Sequence, residues 1–312
     1  MDGSFRVFGP AYLFIDGRLD VFLDQGVGRA IAEVSGPLRL GLVLYVLLYG
    51  IAILRGAIAE PLMDFAVRSI KLAAIYGLAT TPAYGDWITQ PLFHVLPETL
   101  ARTVAGNLAV DVGSAFDDFF ARVAYLGETV SREASAFNWA PLLVAGGVYV
   151  FGALAAALGF GIVTLAKVAL ALLIALGPIF VGLSLFEATR RYFFGWLSQA
   201  VNYLVLFALI LAILQLILAL VAQQWSGLEG QDPVVAGLMF IALCLLAGIF
   251  FLQVPAIATG IAGGASAGLA DFGNAAAGAG GARMPFTSHA TRGGRTQTMR
   301  EGGSVRPVRA SA

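Results

Sequence analysis

From residue 142 to residue 222 the chain is nearly unbroken apolar sequence, carrying one short basic-aromatic interruption, LFEATRRYFFGWLSQAVNY. A helix that crosses a bilayer needs ~20 apolar residues, so a run of this length supplies several. The interruption marks where the chain meets water. An integral membrane protein follows, and its function has to be argued from topology and packing rather than from a catalytic cleft.

Composition agrees, with 59% hydrophobic and 12% charged residues against ~25% charged in soluble domains. The formal net charge is zero, so the total implies no nucleic-acid partner. The single cysteine, Cys244, lies inside an apolar run; it offers no disulfide framework and no cysteine-rich metal site, and reads as packing. Residues 1–37 lack the basic start, apolar block and small-residue site of a cleavable signal. About Asp16 to Val34 they read as an amphipathic helix, so insertion is expected to depend on internal helices.

Four spans are clear, at about 38–58, 141–165, 200–222 and 234–256. A fifth candidate, 62–79, carries Arg68 and Lys71 three residues apart, on one helix face. A central charge costs about 2.5–3.5 kcal/mol against ~0.3–0.6 returned per strong apolar residue, so this segment inserts only with both cations near one end or as a hairpin with the first span. A sixth segment, 168–186, is interrupted by Gly177-Pro178, where proline removes a donor and clashes one turn back. Lys167 precedes it, and Arg190 and Arg191 follow. If positive charge marks the cytoplasm, both ends prefer one side, as a re-entrant helix would allow; a kinked spanning helix is the alternative. The expected fold is therefore all-α: a polytopic helical membrane protein of about five spans plus a Gly-Pro-broken or re-entrant segment.

Charge orients the chain. Beyond residue 256, six arginines face Asp271 and Glu301, a net +4, whereas 81–140 has three arginines against seven acids, a net −4. The 223–233 loop carries Glu229 and Asp232 and no basic residue. The tail and Arg190/Arg191 are thus expected inside and the 223–233 loop outside. Region 81–140 is outside if 62–79 crosses. Trp87, Trp139, Trp196 and Trp225 all fall near expected span ends, where amphipathic rings settle.

Chemistry-bearing clusters are few. There is no phosphate-binding glycine loop. His94 and His289 lack partners at metal spacing and read as solvated or interfacial. Asp117-Asp118, flanked by Phe116, Phe119 and Phe120, read as the wet edge of an amphipathic helix; a paired-carboxylate role lacks an accompanying nucleophile and orienting group. Lys167 either snorkels or pairs with Glu187. Arg190, Arg191, Tyr192, Phe193, Phe194 and Trp196 form the most suggestive cluster. One reading is an interfacial anchor; the sharper one is a ring at the mouth of an oligomeric pore, with arginine suited to phosphate and ring faces to bases. Gly260, Gly264 and Gly268 are spaced for close helix or subunit packing. From about Gly273 the Gly, Ala, Ser, Thr and Arg-rich tail is expected to be disordered, its charge available to anionic lipid or nucleic acid.

The block LGPIFVGLSLFEATRRYFFGWLSQAVNYLVL, at 176–206, closely resembles the signature of the polytopic inner-membrane subunits of type IV secretion systems, the TrbL/VirB-six family. YVLLYGIAILRGAIAEPLMDFAVRSIKLAAIYGLA at 45–79, with Tyr84 and Trp87 after it, and QVPAIATGIAGGASAG at 253–268 are similar too. The resemblance implies a non-enzymatic channel or assembly subunit without cofactors, supporting pilus assembly and the passage of DNA or protein. It implies a homo-oligomer, thought to be pentameric, that contacts a minor pilin, bitopic scaffold subunits, separate ATPases and membrane lipid. The resemblance implies a periplasmic amino terminus and central loop and a cytoplasmic carboxyl terminus; with the spans and charges, the expected organisation is an amphipathic periplasmic segment at 1–37, a first hairpin at 38–80 and a central periplasmic region at 81–140. A membrane bundle at 141–256 with a cytoplasmic Arg-aromatic loop, and a basic cytoplasmic tail at 257–312, complete the organisation. A secondary transporter of small solutes and a passive membrane scaffold are the rival readings; the first would show repeated halves, and no second copy is evident.

Overall fold

The computed structural model describes residues 6–56, 62–105, 112–135, 137–226 and 232–278. These form seven α-helices: α1 Phe8–Leu54, α2 Leu62–Thr80, α3 Leu96–Ala105, α4 Val112–Arg132, α5 Ala140–Leu183, α6 Arg190–Ser226 and α7 Pro233–Gly278. Two π-helical turns, Gly85–Thr89 and Pro91–Val95, lead into α3. The all-α polytopic architecture expected from the sequence is present. Four helices are long and apolar enough to cross a bilayer: α1, α5, α6 and α7. The fifth candidate segment is α2.

The division of the bundle differs from expectation in two places. The segments 141–165 and 168–186 are one helix, α5, which runs through Gly177-Pro178 and stops only after Leu183. The amphipathic start and the first span are likewise one helix, α1, with Pro37 inside it. Residues Leu23, Val27, Ala30 and Leu38 form its buried face, the three-to-four spacing of one helical stripe.

Helix α5 is the axis on which the others are arranged. Along its first half α4 runs antiparallel: Val123 fills the space beside Gly152, and Phe116 lies against Gly159. Along its second half α1 runs parallel, with Gly26 against Ala175, Leu38 against Gly182 and Gly41 against Phe186. Helix α7 also runs parallel, Ile241 meeting Gly147 and Phe251 meeting Gly159. Helix α6 runs the other way, from Trp196 beside Gly177 to Leu218, whose carbonyl accepts a bond from Arg122 of α4. Helix α2 returns along α1, starting from Phe65 stacked on Tyr49. The α1–α2 and α5–α6 connections thus share one end of the bundle, and the α4–α5 and α6–α7 connections share the other. A crossing of small residues makes this possible: Gly152, Ala155, Ala156, Gly159 and Ala166 are all buried on α5, letting neighbouring backbones approach closely.

Helices α4 and α1 meet end to end beside α5. The N–H groups of Val7 and Phe8 each donate to Asp117 Oδ1 and that of Gly9 to Oδ2, all at 2.8 Å. The first turn of a helix leaves its N–H groups without partners and carries a partial positive charge; a buried carboxylate from another helix answers both. Asp117 is therefore not the wet edge of α4. It is 6% exposed, on the same face as Phe116, and only Asp118 faces outward. No side chain fits between the two helix starts: a Cβ on Gly113 would lie 2.5 Å from the Cα of Gly9.

Candidate functional site

The turn that follows α5 sets up the basic-aromatic cluster. Thr189 Oγ1 donates to the Leu183 carbonyl at 2.6 Å, and the Arg190 N–H to the Phe186 carbonyl, closing the end of α5 against the start of α6. From there Arg190 lies over the Phe194 ring, 5.4 Å from its centroid, one helical turn on. Arg191 lies over Tyr192 and donates to its hydroxyl at 3.1 Å. Both Arg191 and Tyr192 are exposed, and Arg190 and Phe194 are half-buried.

Trp196 departs from the interfacial role expected of it. It is 4% exposed, stacked near Phe180, and its Nε1 donates to the Leu173 carbonyl at 2.8 Å. One residue along, the Ile174 carbonyl accepts the Tyr84 hydroxyl, also at 2.8 Å. The reason lies in Pro178, which has no N–H to give to residue 174 four positions back. Tyr84 supplies the missing donor. Gly177 is required beside it, since a Cβ there would overlap the Tyr84 hydroxyl at 1.6 Å. The Gly177-Pro178 site is thus a proline position sealed by two aromatic side chains within a continuous helix rather than a turning point.

Between α2, the π-helical turns, α5 and α6 lies a cavity of about 540 Å³. Its wall is apolar and aromatic, from Ile75, Leu92, Val181, Phe193 and Trp196, and it carries two cations, Lys71 and Arg190. Trp87, on its rim, is 75% exposed, and Trp139, at the opposite end of α5, is exposed as well. What the site offers chemically is positive charge set on an apolar, ring-lined surface.

A second polar cluster was missed in the sequence. Lys167 is buried and pairs with Asp16 of α1 rather than with Glu187, which is exposed. Its ammonium also lies 5.1 Å from the Tyr12 ring centroid and 5.0 Å from that of Phe93. One turn along α1, Asp20 Oδ1 is 3.3 Å from His94 Nε2. The i, i+4 spacing of Asp16 and Asp20 was the available signal, since it puts both carboxylates on one face of α1. Of the expected packing glycines, Gly260 is exposed with no neighbour within 4 Å of a Cβ position. Gly264 and Gly268 continue α7, but their surroundings and the tail beyond Gly278, with His289, lie outside the described residues. Cys244 is buried, as expected of packing.

Comparison with known proteins agrees with the architecture. A family model described as TrbL/VirB6 plasmid conjugal transfer protein matches residues 42–254. The chain is 22% identical over 270 residues to the type IV secretion system protein VirB6 of Bartonella quintana, covering 84% of this chain and 82% of that one. Over 269 residues it is 22% identical to the Bartonella henselae protein of the same description, with the same coverage. Protein VirB6 of Agrobacterium fabrum is 24% identical over 218 residues, 69% of this chain and 71% of the relative.

Proposed function

Since the chain belongs to the TrbL/VirB6 plasmid conjugal transfer family, we propose that it is a multi-pass inner-membrane subunit of a type IV secretion system, and that copies of it border a conduit for DNA or protein substrates and support pilus assembly. The observation that carries the conduit is the outer face of α4. Asp118, Tyr125, Glu128 and Arg132 are exposed along it, while Phe116, Phe119, Val123 and Val130 are buried on the other side. Phe119 stacks on Phe240 of α7 and Arg122 reaches the Leu218 carbonyl of α6, so this polar face lies level with the apolar stretches of both helices. Charged groups at that depth turn toward protein or a water-filled space rather than lipid. Copies arranged with α4 innermost would enclose such a space.

Sidedness follows from charge. Arg39, Arg55, Arg68, Lys71, Arg190 and Arg191 belong to the end shared by the α1–α2 and α5–α6 connections, and cytoplasmic ends carry the excess of basic residues. This reading makes that end cytoplasmic, with the carboxyl-terminal tail, and gives the opposite end, with the α4–α5 and α6–α7 connections, to the periplasmic side. The Arg190–Phe194 cluster then sits at the cytoplasmic mouth, where the separate ATPases of such a system would deliver substrate.

Photo-crosslinking tests the conduit. A photoreactive amino acid at Asp118 or Glu128 is expected to capture the substrate in transit in cells that are actively transferring. The same group at Leu245, exposed on the apolar face of α7, is expected to capture none. Adducts only to other subunits from Asp118 and Glu128 would replace the conduit with a scaffold.

A further inference from the structure

We propose that the exposed end of α1 docks into the groove between α2, α5 and α6 of a second copy of this chain, a head-to-tail contact that repeats around a ring. Helix α1 passes the end of α5 where Gly41 meets Phe186, and the residues from there to Leu54 carry it about 20 Å further. Leu40, Leu44, Leu47, Ile51 and Leu54 are exposed along this stretch. Their spacing alternates between four and three residues, the seam that one helix presents to another.

The hydrocarbon layer does not reach this seam. A second belt of exposed apolar side chains lies on α5 and α7, with Leu143, Val150, Leu238 and Leu245 among them. From Gly147, at the level of Ile241 in α7, to Gly182, at the level of Leu38 in α1, helix α5 climbs about 50 Å. The hydrocarbon core is ~30 Å thick, so one bilayer covers one belt and not both. The α5–α7 belt is the broader, drawn from two helices of the main bundle, and takes the lipid. A row of leucines beyond the lipid marks a surface for protein.

The chain itself carries the matching surface. The groove of about 540 Å³ is walled by Ile75, Leu92, Phe193 and Leu197, and by Val181 and Ser184 at the end of α5. That is the level at which Leu38 and Gly41 of α1 cross the same helix. None of the residues lining the groove belongs to α1, so protrusion and groove are separate patches of one molecule. Copies in one membrane share its normal, and surfaces of theirs can meet only where the levels agree. Here they agree without a vertical shift. A contact between two different patches is heterologous, and confined to the plane of a membrane it closes into a ring. The proposal rests on copies standing side by side, as in the conduit reading, and not on substrate passing between them.

Crosslinking between copies tests it. Two full-length versions with different tags, both Cys244→Ser, are co-expressed, one carrying Leu47→Cys and the other Leu197→Cys. A short bis-maleimide added to permeabilised cells is expected to join them into a dimer that carries both tags. Leu245→Cys in place of Leu47→Cys, on the lipid-facing belt, is expected to give none. Absence of the two-tag dimer, or adducts from Leu47→Cys to other proteins alone, would overturn the proposal. So would a bimane label on Leu47→Cys that brominated acyl chains quench as strongly as one on Leu245→Cys, which would give this face to lipid. Leu47→Glu and Leu197→Lys are each expected to abolish the oligomer on a native gel, and the two together in one chain to restore it. Misfolding does not produce such a rescue, and failure to recover the oligomer would count against the contact. If Asp118 and Glu128 capture no substrate while the two-tag dimer forms, the conduit reading fails and the contact stands.

Discussion

Three backbone N–H groups at the start of α1 converge on the Asp117 carboxylate, and burial of Gly9 and Asp117 keeps water from replacing the innermost of these bonds. Loss of a cap costs ~1 kcal/mol, and buried donors left unpaired cost about 1–3 kcal/mol more. Asp117→Ala is therefore expected to destabilise the purified protein by about 3 kcal/mol in detergent unfolding, while Asp118→Ala stays within about 0.5 kcal/mol. The Lys167–Asp16 pair behaves differently. Removing one partner strands the other, so Asp16→Ala is expected to cost about 3 kcal/mol. Asp16→Leu with Lys167→Met removes both charges and is expected to recover most of that loss in the same unfolding assay. Residue identity announced neither role. Asp117 and Asp118 are adjacent acids in one aromatic setting, and the turn of the helix alone decides that one is buried and the other is not.

Along α5 the element-scale question is how a membrane helix tolerates an internal proline. The carbonyl that Pro178 cannot serve is taken by Tyr84, from a different element, as hydrocarbon burial demands. Tyr84→Phe is expected to cost about 1–2 kcal/mol by leaving the Ile174 carbonyl without a donor. In a Pro178→Ala background the helix regains its own N–H, and the same change is expected to cost little. The difference between those two costs, read in a double-mutant cycle of unfolding midpoints, checks the assignment; equal costs would mean the Tyr84 hydroxyl has another use. The sequence made the helices legible through apolar length and made Gly177-Pro178 conspicuous. It held no sign of the remedy, because Tyr84 lies ninety positions away and only the return of α2 along α1 brings it there. The separation of 141–165 from 168–186 failed for a related reason. Lys167 looked like a boundary at the water's edge, but its charge is neutralised inside the bundle by Asp16, so α5 continues past it.

At the scale of the molecule, α5 at 44 residues is ~66 Å long, more than twice the ~30 Å hydrocarbon core. The long helices must therefore continue beyond the bilayer, where neighbouring chains or water meet them. Directions within the bundle make a firm prediction about sides. Ser135→Cys and Asp232→Cys, in a Cys244→Ser background, are expected to react together with a membrane-impermeant maleimide in whole cells, and Ala188→Cys only after permeabilisation. Labelling of Ala188→Cys together with Ser135→Cys would mean that α5 does not cross.

Sequence alone determined that this chain is helical, polytopic and built around apolar spans, because span length and the scarcity of charge are local properties that no folding partner alters. The blocks at 45–79, 176–206 and 253–268 carried the family resemblance in the same local way. Tertiary structure decided which polar residues are interior. The fates of Asp117, Lys167, Tyr84 and Trp196 depend on which helix lies opposite, and a chain of adjacent residues does not encode that in any window. The basic groove is the clearest case: Lys71 and Arg190 are more than a hundred positions apart in the sequence, and they share one wall only because α2 folds back against the junction of α5 and α6.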